Sequence, residues 1–285
     1  MKVQHEWTDD TATISVEGLS GSIRMLHVTD SHVAAIDDRD SEHQDRYEEY
    51  CGANQSRIGT FGEMMASTKN LGVDVVALTG DIVAFPALAA IDAAIDAISQ
   101  VEVPVLYTCG NHDWAFGGLE GVREEIREAW WPTLEPLHHG RAAFDRHEIG
   151  GIQFLLVDNS TYQIDEEQLA FVEEHLGNGM PTVFLIHIPV GLPTLRGPTL
   201  EMWKKMLLMG HLYWDQDGRN RCVVGDDLPS TFEFIRVLET AENLVAVFCG
   251  HIHFAHTDII SPNVIQYVGP AGYEGGKRFV EFRPL

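Results

Sequence analysis

The segment 248-FCGHIHFAH-256 places His251, His253 and His256 directly behind the apolar run from Leu244 to Cys249. A buried strand that ends in imidazole is either a turn that happens to hold histidines or part of a metal site. The segment alone does not separate the two readings. Its spacing narrows them, because side chains at i and i+2 of an extended chain share a face. His251 and His253 can then aim at one cation while Ile252 turns into the core. His256 is read as a strand or surface residue outside the site.

Working outward, the same arrangement recurs. Apolar runs of strand length cover Ile23 to Asp30, Val73 to Asp81 and Val103 to Asp113, then Ile152 to Ser160, Pro181 to His187 and Leu244 to His251. Near-continuous apolar runs suit strands covered on both faces. All but the fourth end in strong candidate ligands: Asp30-x-His32, Gly80-Asp81, Gly110-Asn111-His112-Asp113, His187 and Gly250-His251-x-His253. Neighbouring strand ends converge on one edge of a sheet, so these distant residues can meet in one crevice. Asn111 and His112 are adjacent and cannot both aim inward, so one is expected to be a ligand and the other not. Glycines before Asp81, Asn111 and His251 permit sharp turns and close backbone approach.

Between the runs lie helical periods. Ile58, Phe61, Met65 and Thr68 form one stripe, and Leu88, Ile91, Ile95 and Ile98 another. Asp165 followed by Gln168 reads as a capping box opening the helix of Leu169, Val172 and Leu176. Phe254 to Phe282 reads as three short strands. Strand–helix alternation followed by a strand-rich end predicts an α/β sandwich with mixed sheets.

In this order, D-x-H, G-D, G-N-H-D, a lone H and G-H-x-H resemble the five blocks of the calcineurin-like metallophosphoesterase superfamily. They span Asp30 to His253, most of the chain. The resemblance implies a four-layer α-β-β-α sandwich of two mixed β-sheets, in a single domain over 1–285, with a dinuclear metal site at the strand ends. It assigns Asp30, His32, Asp81 and His253 to one metal and Asp81, Asn111, His187 and His251 to the other, with Asp81 bridging. It makes His112, paired with Asp113, the catalytic histidine beside the substrate, with Asn111 also on the substrate phosphate. A bridging carboxylate offsets the repulsion of two cations about 3.5–4 Å apart. Nitrogen and oxygen donors without thiolate suit two divalent ions of Mn, Fe, Co, Ni or Zn.

The third block reads G-N-H-D rather than the G-N-H-E of protein Ser/Thr phosphatases, and "GDIVAFP" lacks their extended pattern. The chain therefore resembles the bacterial phosphodiesterase and phosphatase branch. A small-molecule phosphodiesterase of cyclic nucleotide or glycerophosphodiester type is the preferred expectation, and a phosphomonoesterase acting on a nucleotide or sugar phosphate is the alternative. A non-catalytic scaffold of the same fold is the reading from another class, disfavoured because no ligand of the set is missing. Trp114, Trp203, Tyr213 and Trp214 are candidates for stacking a base. Arg57, Arg196, Arg219 and Arg221 are candidates for gripping a second phosphate or carboxylate.

Bulk properties bound these readings. With 43 acidic against 19 basic residues the net charge is −24, which repels nucleic acid and anionic lipid. The four cysteines form no C-x-x-C pair, the beginning MKVQHEWTDDT has no apolar core, and no run is long enough for a membrane span. A cytoplasmic setting is the default expectation. Two segments break the alternation. The polar stretch from Asp37 to Gln55 is expected to be a surface excursion or a functional loop. Segment 190–230, with a helical piece at "LEMWKKMLLM", is expected to be a lid or a contact between copies of the chain.

Overall fold

All six apolar runs form strands, and the stripes between them form helices. The computed structural model describes residues 1–40, 44–115, 124–138, 142–210 and 227–285. The amino-terminal half holds strands β1 (Val3–Trp7), β2 (Thr11–Val16) and β3 (Ile23–Val28), then helices α1 (Gln44–Asn54) and α2 (Ser56–Ser67). Strand β4 (Val75–Thr79), helix α3 (Leu88–Ile98), strand β5 (Val105–Thr108), the short α4 (Asn111–Trp114) and α5 (Glu124–Leu134) follow. The second half begins with β6 (Phe144–Ile149), β7 (Ile152–Val157), α6 (Glu166–Leu176), β8 (Thr182–Leu185), α7 (Pro193–Trp203) and α8 (Pro229–Thr240). It ends with β9 (Leu244–Cys249), β10 (His256–Ser261), β11 (Val264–Val268) and β12 (Arg278–Pro284).

Among the described residues, two six-stranded sheets result, ordered β1-β2-β12-β3-β4-β5 and β10-β11-β9-β8-β7-β6. In the first, β3, β4 and β5 run parallel, while β12 runs antiparallel to β3. In the second, β7, β8, β9 and β11 run parallel between antiparallel edges β6 and β10. Ile14, Met25, Phe154, Phe248, Tyr267 and Phe282 fill the space between the sheets. Phe61, Met65, Ile91 and Ala94 cover the outer face of the first sheet, and Val172, Phe234, Ile235 and Leu238 that of the second. This is the expected α-β-β-α sandwich. Because β3, β4 and β5 are parallel, as are β8 and β9, their carboxyl ends carry the candidate ligands to one edge.

Some local readings hold and others need correction. Asp165 caps α6, accepting from the Gln168 amide at 2.8 Å while Gln168 Oε1 accepts from the Asp165 amide at 3.0 Å. The polar stretch from Asp37 to Gln55 contains α1, which buries Tyr47 against Phe85 with ring centroids 4.3 Å apart. A helix with so narrow an apolar face leaves little periodicity to read. Among the described residues of segment 190–230, the helix that includes the start of LEMWKKMLLM is α7, which begins earlier, at Pro193. Pro193 suits a first helical turn, and the chain leaves the helix at Lys204, whose φ is +59°. Leu192, Leu195, Met206, Leu208 and Met209 bury themselves in the outer core of the second sheet. Tyr213, Trp214, Arg219 and Arg221 lie outside the described residues. Trp114 is fully buried and its Nε1–H donates to Asp158 Oδ2 at 2.8 Å, so it has no face to offer a base. Among the described residues no helix is long and apolar enough to cross a membrane.

Candidate metal centre

The backbone delivers the candidate ligands through strained turns. Asp30, His32, Asp81, His251 and His253 all have φ between +43° and +73°. Left-handed backbone is uncommon for residues with a Cβ and persists where the surroundings hold it. This corrects the expectation of extended i, i+2 pairs, since Asp30/His32 and His251/His253 are aimed by left-handed turns instead. Ile252 is nonetheless buried in the outer core of the second sheet. Backbone bonds lock the turns together: the Asp30 amide donates to Gly80 O at 3.0 Å, and the His32 amide to Asp81 O at 2.9 Å. The Gly250 amide donates to His187 O at 2.9 Å, and the His251 amide to Asp30 Oδ2 at 2.9 Å.

Gly110 and Gly250 are glycines because nothing larger fits. A Cβ on Gly110 would strike the Asp81 carboxylate and stand 2.8 Å from His187 Nε2. On Gly250 it would strike the Thr29 hydroxyl and the Asp30 carboxylate.

Among the described residues, two groups of side chains could hold a cation, and they share one residue. Donor atoms of Asp30, His32, Asp81 and His253 lie within 4.8 Å of one another, as do those of Asp81, His187 and His251. His32 Nε2 is 3.1 Å from His253 Nε2, and His253 Nε2 is 3.3 Å from Asp30 Oδ1. His187 Nε2 is 3.2 Å from both Asp81 Oδ2 and His251 Nδ1.

The chemistry of these contacts asks for positive charge. His187 Nδ1–H donates to Thr79 O at 2.7 Å, so a neutral ring turns its Nε2 lone pair on the Asp81 carboxylate. Two acceptors that close need a proton or a metal between them. Burial by itself lowers the basicity of His187, but Asp81, Asp30 and the Thr79 carbonyl outweigh it and raise the pKa to about 10. Burial opposes ionisation of Asp81 as well, yet His187 and His112 hold it well below the usual carboxylate range. Burial pulls His32 and His251 down to about 3, so both present neutral imidazoles, the form that binds a metal. Asn111 Oδ1 is buried with no hydrogen-bond partner, one residue after Gly110, whose backbone packs against Asp81 and His187. An orphaned amide oxygen next to that cluster fits a further metal donor.

The supporting residues were largely silent in the sequence. Asn159 Oδ1 accepts from the amides of His187 and Ile188 at 3.0 and 2.9 Å, pinning the turn after β8. Tyr162 OH lies 2.7 Å from His251 Nε2, and Tyr273 OH lies 3.4 Å from His253 Nδ1. Such contacts fix the orientation of a metal-binding ring. Trp203 meets His253 edge-on at 5.2 Å, and its Nε1–H donates to Ile252 O at 3.0 Å. No motif marks Tyr162 or Tyr273, since a lone aromatic after a strand looks like any other.

One pairing expected from the sequence is absent. His112 is oriented by Ala84, whose carbonyl oxygen lies 2.8 Å from its Nδ1, and not by Asp113. The Asp113 carboxylate is fully buried and accepts from the amides of Gly110, Asp81 and Val83 at 2.7, 2.8 and 3.0 Å. It ties the turn after β4 to the turn after β5. Burial, reinforced by the charge of Asp81, pushes its pKa up to about 7. His112 itself is half-buried, with its ring 4.8 Å from that of His32, and its amide donates to Asp81 Oδ1 at 2.8 Å.

Comparison with known proteins agrees with this geometry. The chain is 22% identical over 201 residues to a Fibrobacter succinogenes protein described as "Probable cyclic nucleotide phosphodiesterase". That match covers 70% of this chain and 64% of the relative, less than two thirds of its length. A dimetal phosphatase from Danio rerio superimposes with a TM-score of 0.56 at 12% identity, covering 90% of this chain and 89% of that one. A purple acid phosphatase from yellow lupin (Lupinus luteus) seeds gives 0.56 at 14% identity, over 93% of this chain and 46% of that one. At such identities the likeness is one of fold. The profile described as calcineurin-like phosphoesterase matches residues 23–255, which include every candidate ligand, and the chain belongs to that family.

Proposed function

We propose that the chain is a binuclear-metal-dependent phosphoester hydrolase that cleaves small-molecule phosphodiesters of cyclic nucleotide or glycerophosphodiester type. The observation that carries this reading is the membership of Asp81 in both donor groups. The likeness to a relative described as a cyclic nucleotide phosphodiesterase supports the diester preference. Asp30, His32, Asp81 and His253 would hold one ion, and Asp81, Asn111, His187 and His251 the other. Bound there, two divalent cations would acidify a water and balance charge on the phosphoryl oxygens.

The chain's own residues do the rest. With Asn111 Oδ1 given to a metal, its Nδ2 hydrogens are left to donate to a phosphoryl oxygen. His112 gives its Nδ1–H to Ala84, so Nε2 is the atom that gains or loses a proton. As an imidazolium it can donate Nε2–H to the departing alkoxide.

The test compares bis-p-nitrophenyl phosphate with p-nitrophenyl phosphate on protein reconstituted separately with Mn, Co, Fe, Ni and Zn. A higher kcat/KM for the diester is expected. The reverse order would make the protein a monoesterase, and no turnover with any metal would leave only a scaffold.

A further inference from the structure

Beside the donor cluster stands a guanidinium that the ligand set does not use. Arg57, in the first turn of α2, places its Cζ 4.4 Å from the ring centroid of Tyr273 and 5.6 Å from that of Tyr50. Its Nη1–H donates to Tyr50 OH at 2.8 Å. Tyr273 is the bridge to the metal centre, with its ring 5.3 Å from His253 and 5.9 Å from His32. The bridge is fixed from behind, because the Tyr273 amide donates to Asp30 O at 3.0 Å and the Gly272 amide to Thr29 O at 2.9 Å.

Like Arg278 and Arg283, which donate to Thr8 O and Val268 O and to Ser15 Oγ, Arg57 stands apart from the carboxylates. In a chain with 43 acidic and 19 basic residues, Arg24, Arg39, Arg127, Arg146 and Arg236 each pair with a carboxylate. Among the described residues, no carboxylate pairs with Arg57. Two aromatic rings hold it instead, which compensates part of its charge and occupies few of its five N–H donors. A guanidinium kept clear of acids, half-buried and one ring-width from a metal-binding histidine, is placed for an anion that arrives with the substrate.

We propose that Arg57, held by Tyr50 and Tyr273, forms a second-anion subsite, so that the substrate carries a further phosphate on the group esterified at the metals. This rests on the phosphoesterase reading above and shifts its preference, within small-molecule diesters, from those with a single phosphate to those with a second. A diester whose alcohol bears its own phosphate is favoured over one with a neutral or cationic head.

Thymidine 3′,5′-bisphosphate and thymidine 3′-monophosphate differ by one phosphate, and the ratio of their dissociation constants on Mn-loaded protein reads the subsite by calorimetry. Where the protein turns either ligand over, KM replaces Kd in the ratio. The bisphosphate is expected to bind about tenfold tighter. Arg57→Met should bring the ratio toward one, Arg57→Lys should restore part of it, and Tyr50→Phe should lower it partway. A wild-type ratio near one, or a ratio that survives Arg57→Met, overturns the proposal. Hydrolysis of bis-p-nitrophenyl phosphate is scored separately, so loss of the phosphoesterase reading and loss of the subsite are told apart.

Discussion

His112 Nδ1 lies 2.8 Å from the carbonyl oxygen of Ala84, while the backbone amide of the same residue donates to Asp81. Side chain and main chain of His112 thus have separate roles. His112→Ala keeps the amide that supports Asp81 and removes only the imidazole. It should lower kcat by about a hundredfold or more while metal content stays near wild type. Parallel activity and elemental measurements check this, and a proportional loss of metal would put His112 among the ligands.

Asp113 serves structure through three amides. Asp113→Ala leaves the Gly110, Asp81 and Val83 amides without their acceptor in a site closed to solvent. A cost of about 3 kcal/mol or more is expected, read as a lower urea midpoint of the metal-free protein. Asp113→Asn, which retains an acceptor oxygen, should lose less.

Asp81 serves both donor groups, so Asp81→Asn should lower metal content at both positions together. Titration with Co and absorption spectroscopy would show weakened binding of two ions. A variant that keeps one ion at wild-type affinity would contradict the shared carboxylate.

Gly110→Ala introduces a single methyl group against Asp81 and His187. Metal affinity should fall at least tenfold, comparable with the loss of an outer support of a metal site. Gly59→Ala, which meets nothing within 4 Å, is the matched control and should leave metal affinity unchanged.

His27 supplies a pH dependence outside the ligand set. Burial, aided by the positive charge of Arg278 and opposed by Asp30, pulls its pKa down to about 3. The ring is neutral in the fold, with Nε2 2.7 Å from Thr79 Oγ1. An unfolded histidine protonates near 6.5, so below that pH the unfolded chain takes up a proton that the folded chain refuses. The stability is complete above about pH 6.5 and is lost as the pH falls toward about 3, at up to ~1.4 kcal/mol per unit. Between pH 7 and pH 5 the wild type should lose about 2 kcal/mol more than His27→Gln. Urea titrations at the two pH values measure the difference.

The fold was legible where apolar runs were long and ended in ligands. β3, β4, β5, β7, β8 and β9 are nearly or wholly buried, and burial on both faces writes a continuous apolar signal into the chain. β1 and β6 carry mostly polar, partly solvated residues and give no such signal. Within the site, the aspartates and histidines that gather into the two donor groups could be read from residue type and order, but the left-handed turns could not, because φ at a non-glycine position leaves no mark in the sequence. Asn159, Tyr162 and Tyr273 act through contacts that only the folded chain creates.

Strand β12 lies between β2 and β3, so residues from near the two ends of the sequence share one ladder. Ribosomal synthesis makes β2 and β3 first, and they must wait, unpaired on those edges, until residues 278–284 emerge. Asp30 and His32, which follow β3, therefore gain their final scaffold last. Completion of the centre in this sense waits for β12, and a nascent chain stalled before β12 should be unable to retain metal.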